Sequence, residues 1–183
     1  MARRIRRGTS MVELLVVLAI LGILSSIAIP RMRASTRAIV EQNARLLAQD
    51  LDLARTRAYA SRGAVRIVFN DTIWRMHLDS NRDGVFAENA AERTAFGSIY
   101  SHIVTTRVIF SRGLAAKLPT DPLATVPTGV RRLNFNARGT TEPFGTTMVF
   151  YLTHATDTRS VYAVEVSPSA NIRVWRWLNG AWQ

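Results

Sequence analysis

An α+β fold is predicted: a long amino-terminal helix, membrane-spanning and then amphipathic, packed on an antiparallel β-sheet domain. Three observations predict it. Residues 9–29 are almost wholly apolar, residues 30–62 keep apolar side chains at helical spacing, and after Gly63 the apolar period falls to two. A helix followed only by short strands implies an antiparallel sheet laid on that helix. The chain has 183 residues, 48% of them apolar, which is enough for one domain with a real core and an appendage. No internal repeat or low-complexity stretch interrupts it. Lys and Arg together number 24 against 13 Asp and Glu, a formal charge of +11, and Lys117 is the only lysine. Such an Arg-rich surface suits anionic partners, nucleic acid or lipid head groups, without bearing on the fold. The absence of cysteine excludes disulfides, thiolate chemistry and Cys-ligated metals, and leaves the compartment to be read from targeting signals.

The first segment, residues 1–8, places four arginines in eight positions and ends at Gly8. The next, residues 9–29, holds one ionisable side chain, Glu13, in 21 residues. As a helix it would be about 31 Å long, the thickness of a bilayer hydrocarbon core. Arginines on the short amino-terminal side predict that this end stays cytoplasmic and the bulk is exported. Three readings fit so far: a secretory signal cut near Ser26-Ile27-Ala28, an uncut signal anchor, and a leader cut between Gly8 and Thr9. Glu13 separates them. A carboxylate in lipid costs a few kcal/mol unless it has a partner. Signal peptides and plain anchors have no use for one. Scission after Gly8 would create an α-amino group on Thr9, four residues before Glu13 and on the same helix face. The two charges could then neutralise each other, within one subunit or between neighbours in a filament.

The run from Arg7 to Leu24, RGTSMVELLVVLAILGIL, resembles the signature of type IV pilins and type II secretion pseudopilins. The resemblance implies scission after Gly8 by a prepilin peptidase and methylation of the new amino terminus, Thr9. Thr9 stands where that family most often has Phe. The family's Glu at the fifth mature position corresponds to Glu13, which the resemblance assigns to filament assembly, and its helix-bending proline corresponds to Pro30. The implied partners are the prepilin peptidase, other pilins or pseudopilins, and inner-membrane lipid. The implied location is a single pass through the inner membrane, with the carboxyl-terminal domain in the periplasm or outside the cell.

Residues 30–62 continue the helix past Pro30, where a lost N–H donor predicts a kink. Met32, Ile39, Asn43, Leu46, Leu47, Leu53, Ala54 and Ala58 fall near one face, with charged residues mostly elsewhere. Gly63 is read as the C-cap. A continuous helix from Thr9 to Arg62 would be about 80 Å long, more than a domain of this size needs for its own core. Its first half belongs in lipid or against other copies, and its second half against the domain that follows.

In residues 63–183, stretches 64–70 and 72–78 alternate as a hairpin, and further strands are expected at 103–110, 130–136, 147–153, 161–166 and 172–178. Arg138-Gly139, Phe144-Gly145 and Ser167-Pro168 supply turns, and 114–129, with three prolines, reads as a long surface loop. Leu53-Ala54-Arg55-Thr56-Arg57-Ala58, the strands carrying Trp74, and Leu133 to Gly139 together resemble the H-type minor pseudopilins, the GspH/FimT group. That likeness implies a low-abundance filament subunit of type II secretion or type IV pili, with no catalytic role.

Asp79, Asn81 and Asp83 with Gly84 match the start of a calcium loop, the one cofactor the chain suggests, but an EF-hand's twelfth residue, Glu, is here Ala90. A polar hairpin turn on Asp83-Gly84 is the simpler reading. Near the carboxyl terminus Arg173, Trp175, Arg176 and Trp177 could grip nucleic acid through phosphates and stacked bases, as in a DNA-uptake pilin. The competing reading is an edge strand with both tryptophans on one face. With the leader arginines gone, 20 basic groups still face 13 acidic ones. A non-assembling, membrane-tethered domain is the third alternative. Catalysis finds no support. His77, His102 and His154 lack zinc spacing, and there is neither a Gly-Lys-Ser/Thr phosphate loop nor a Gly-x-Ser-x-Gly elbow.

Overall fold

The computed structural model describes residues 11–32, 35–71, 73–86, 90–94, 101–103, 107–123, 125, 129–145 and 147–183, with side chains for all of these but 24–32, 93–94 and 101–103. Gly8 and Thr9 lie outside the described residues. The chain divides into two compact units, 1–35 and 36–183.

The first unit contributes one helix, α1 (Met11–Met32), with Glu13 in its first turn. Every described side chain on it is exposed, including Leu14, Leu15, Val16, Val17, Leu18, Ile20 and Leu21. A helix that exposes so many apolar side chains calls for an apolar environment. Among the described residues no helix is long and apolar enough to cross a membrane. The span expected over 9–29 extends beyond Met11–Ile23, the part of α1 with described side chains. Pro30 lies in the last turn, and α1 closes at Met32. The single helix expected over 9–62 is therefore two, with Ser35 in neither.

The second unit opens with α2 (Thr36–Ser61). Its buried apolar residues are Val40, Ala44, Leu47, Leu51, Ala54 and Ala58, spaced alternately by four and three. Asn43 is buried as expected, but that stripe corrects the face at two positions: Leu53 is 40% exposed, and Asp50 is buried along with the apolar residues. The helix end also differs. Arg62, at φ +51°, takes the left-handed position expected for Gly63. Gly63 is needed for another reason, since a Cβ there would lie 2.5 Å from the Asp79 carbonyl oxygen.

Among the described residues, ten strands and one short helix follow: β1 (Val65–Phe69), β2 (Ile73–Leu78), α3 (Ala90–Thr94), β3 (Ser101–Ile103), β4 (Val108–Ile109), β5 (Arg131–Phe135), β6 (Thr141–Glu142), β7 (Met148–His154), β8 (Asp157–Val166), β9 (Ile172–Leu178) and β10 (Ala181–Trp182). They form two antiparallel five-stranded sheets, ordered β3-β2-β1-β5-β6 and β10-β9-β8-β7-β4. The expected hairpin is present, with Phe69 opposite Trp74. The strand expected over 103–110 is corrected: its ends are β3 and β4, in different sheets. A run that crosses between sheets cannot be one strand.

The core forms where α2 meets the inner faces of both sheets. Ile67, Phe69, Trp74, Met76, Leu133 and Phe135 come from the first sheet, and Phe150, Leu152, Tyr162, Val164 and Val166 from the second. Phe69 and Phe150 stack with centroids 4.1 Å apart, joining the two sheets directly. A smaller cluster covers the outer face of the second sheet: Leu118, Val149, Tyr151 and Ala163, with Trp175 and Trp182 packed on them. The expected surface loop 114–129 is thus partly interior. Ala115, Leu118 and Asp121 are buried. Tyr151 Oη donates to Asp121 Oδ2 at 2.8 Å and accepts the Leu118 N–H at 2.9 Å. Burial, the main cause, pushes the Tyr151 phenol well above its ordinary value, so it remains a donor.

Candidate functional site

Glu13 lies near the start of the described part of α1. Its described neighbours on α1 are apolar and exposed, so the carboxylate interrupts a surface otherwise suited to lipid.

Two polar networks fasten α2 to the second sheet at the helix's amino-terminal end. Thr36 Oγ1 donates to Asp157 Oδ2 at 2.8 Å, and Ser160 Oγ donates to the same oxygen at 2.7 Å. The Ser160 and Thr36 hydroxyls hold the Asp157 carboxyl below its usual range. One turn on, Glu41 pairs with Arg45 at 2.7 Å and accepts Tyr162 Oη at 2.9 Å. Those bonds, from Arg45 first and Tyr162 second, lower the Glu41 carboxyl. Deeper in, the Trp74 indole N–H donates to the buried Asp50 carboxylate at 2.6 Å. The sequence reading missed Asp50. Its signal was an acid three residues beyond Leu47, on the stripe that proved to be buried.

The 79–86 loop is not the hairpin turn expected on Asp83-Gly84. It leads from β2 toward α3, and its sharp turns are built by side chains accepting backbone N–H groups. Asp79, buried, accepts Arg82 N–H at 2.6 Å and Gly84 N–H at 3.0 Å. Asp83 accepts Val85 N–H at 2.7 Å, and Asn81 Nδ2 donates to Asp83 Oδ2 at 2.9 Å. Buried Glu92 accepts both the Ser80 N–H and its hydroxyl. Among the described residues no group of three or more His, Asp or Glu is placed to hold a metal ion. Oxygens of Asp79, Asn81 and Asp83 each accept backbone N–H groups of this loop.

The four residues considered for nucleic acid are not brought together. Along β9, Arg173, Trp175 and Trp177 share one face, and Arg176 points to the other with Ile172 and Val174. Trp175 Nε1 donates to Glu165 at 2.7 Å, and the Trp177 ring lies 5.2 Å from Trp182. The tryptophans pack on their own domain, one of them beside a carboxylate that would repel phosphate. Nor is β9 a plain edge strand: β10 covers its end, pairing Trp182 with Trp177.

The comparisons with known proteins fit this architecture. A family model described as type II transport protein GspH matches residues 43–170, about two thirds of the chain. The chain belongs to the GspH family. A second model, the prokaryotic N-terminal methylation motif, matches residues 3–29. No curated protein sequence matches. Among solved structures, the type IV minor pilin FimU of Pseudomonas aeruginosa is similar at 15% identity, covering 79% of this chain and 92% of that one, with a TM-score of 0.50. The minor pseudopilin EpsH from the type 2 secretion system of Vibrio cholerae is similar at 10% identity, covering 74% and 94%, also at 0.50. At such identities these two show a shared fold.

The GspH match begins at Asn43, on the face of α2 that packs on the sheets, and ends at Ala170, in the turn before β9. It takes in Asp50, Trp74 and the stacked Phe69 and Phe150. The matched methylation motif spans Gly8, Thr9 and Glu13, to which the sequence resemblance assigns processing and assembly.

Proposed function

We propose that this GspH-family chain is a minor pseudopilin-type subunit, cut between Gly8 and Thr9 by a prepilin peptidase and methylated on Thr9. Residues 9–29 hold it in the inner membrane until it enters a filament, and the domain from Thr36 onward lies on the far side. The observation that supports this reading is an N-terminal methylation motif over 3–29 that overlaps a helix whose described apolar side chains are all exposed. The work of the domain is structural: its most deeply buried acids, Asp50, Asp79 and Glu92, accept hydrogen bonds that shape the fold. Glu13 meets the amino group of a Thr9 terminus, its own or a neighbour's, and so sets the position of each subunit along the filament. Glu13→Ala should leave membrane insertion intact, because it makes the helix more apolar, and should sharply reduce recovery in sheared filaments. Wild-type recovery of that variant would remove the role assigned to Glu13.

A further inference from the structure

A cleft of about 380 Å³ opens between the end of α2, the start of β1 and the 79–86 loop. Arg62, Arg66 and Arg82 line it, with Phe86, Asn134 and Glu142. None of the three guanidinium groups pairs with a carboxylate among the described residues. Arg66 lies 4.0 Å above the Phe86 ring, and its Nε donates to Asn134 Oδ1 at 3.0 Å, so its fork is held in place by neutral groups. Arg62 and Arg82 both adopt left-handed backbone angles, φ 51° and 65°, which non-glycine residues seldom take outside places the surrounding structure fixes. The one buried acid here, Asp79, already accepts two backbone N–H groups.

We propose that this cleft docks an acidic polypeptide segment of a neighbouring subunit. Guanidinium forks match carboxylates in geometry as well as charge. The other walls favour a peptide over a phosphate chain: Glu142 can accept an N–H from a peptide backbone, and Phe86 offers an apolar surface for its side chains, contacts that a phosphate chain does not use. The partner named here rests on the filament-subunit reading above; the binding chemistry does not.

The test uses the full chain in detergent and a short fluorescent peptide with two adjacent carboxylates, followed by anisotropy. Saturable binding is expected. It should weaken with salt, vanish for the twin peptide with both carboxylates made amides, and fall roughly tenfold or more in Arg66→Gln and Arg82→Gln. Arg82 is exposed, so its replacement leaves the fold intact even if Arg66→Gln disturbs β1. Equal binding of the amide twin, unchanged affinity in Arg82→Gln, or displacement of the peptide by equimolar inorganic phosphate would each overturn the proposal. Loss of the leader on exposure to a prepilin peptidase reports separately on the filament reading. A processed chain that ignores the acidic peptide contradicts the cleft alone.

Discussion

Asp50 and Trp74 show how much of this domain depends on one polar contact. Both are buried, one on α2 and the other on β2, and the 2.6 Å bond between them ties the helix to the first sheet inside the core. A buried donor that loses its charged acceptor costs about 2 kcal/mol. Asp50→Ala should therefore lower the melting temperature by roughly 4–8 °C in a domain of this size. Asp50→Asn keeps an acceptor and should fall less. Equal melting of wild type and Asp50→Ala would show that the bond adds nothing. The contact was hard to read in the sequence for a physical reason. An acid within a helix is ordinarily placed on the solvated side, and only the register of the packed stripe reveals that position 50 faces inward. The same register explains Leu53. It looked like a core residue by composition, but it falls outside the stripe formed by Leu47, Leu51 and Ala54 and is exposed.

Among the elements, β1, β2 and β5 were legible because residues alternate along them, and β7, β8 and β9 because runs rich in strand formers lie between turn signals. The two-residue strands β4, β6 and β10 were not, since two residues carry no period. Such short pieces form because longer neighbours offer an edge. The loop after Leu114 was misjudged for a related reason. Its prolines announce irregular backbone, but burial of Leu118 depends on Tyr151, 33 residues away. The joint between α2 and β8 carries a pH prediction. The Asp157 and Glu41 carboxyls both lie below their ordinary values of 3.8 and 4.5, so the folded chain releases these protons more readily than the unfolded one. Their stabilisation is complete above about pH 5 and is lost as pH falls through and below 4. Thermal melts should be flat from pH 5 to 7 and decline in acid, with a shallower decline in Asp157→Asn. Both groups are near the surface, so the effect is modest and salt-sensitive. An identical acid limb in the variant would remove Asp157 from the joint.

At the scale of the whole molecule, two units obey different rules. The one from Thr36 onward buries its apolar residues against itself, in a core shared by one helix and two sheets. The one ending at Ser35 buries none of its described apolar residues. A chain with such a helix needs lipid, other subunits, or both in turn, and a filament drawn from a membrane supplies both. That division was readable from the sequence alone, because a long uncharged run with one acid near its start is uncommon and chemically specific. The paired sheets were not. Their order depends on contacts between residues far apart in the chain, which no local pattern records.

The account's central claim is that Gly8 and Thr9 mark a processing site and that everything after it becomes a filament subunit. The most direct test is the intact mass of membrane-extracted protein made with and without a prepilin peptidase. The account predicts loss of Met1–Gly8 only when the peptidase is present, with the mass of one added methyl on Thr9. A chain that stays whole with the peptidase, or is cut near Ala28 without it, would contradict the claim and leave a membrane anchor or a secreted domain.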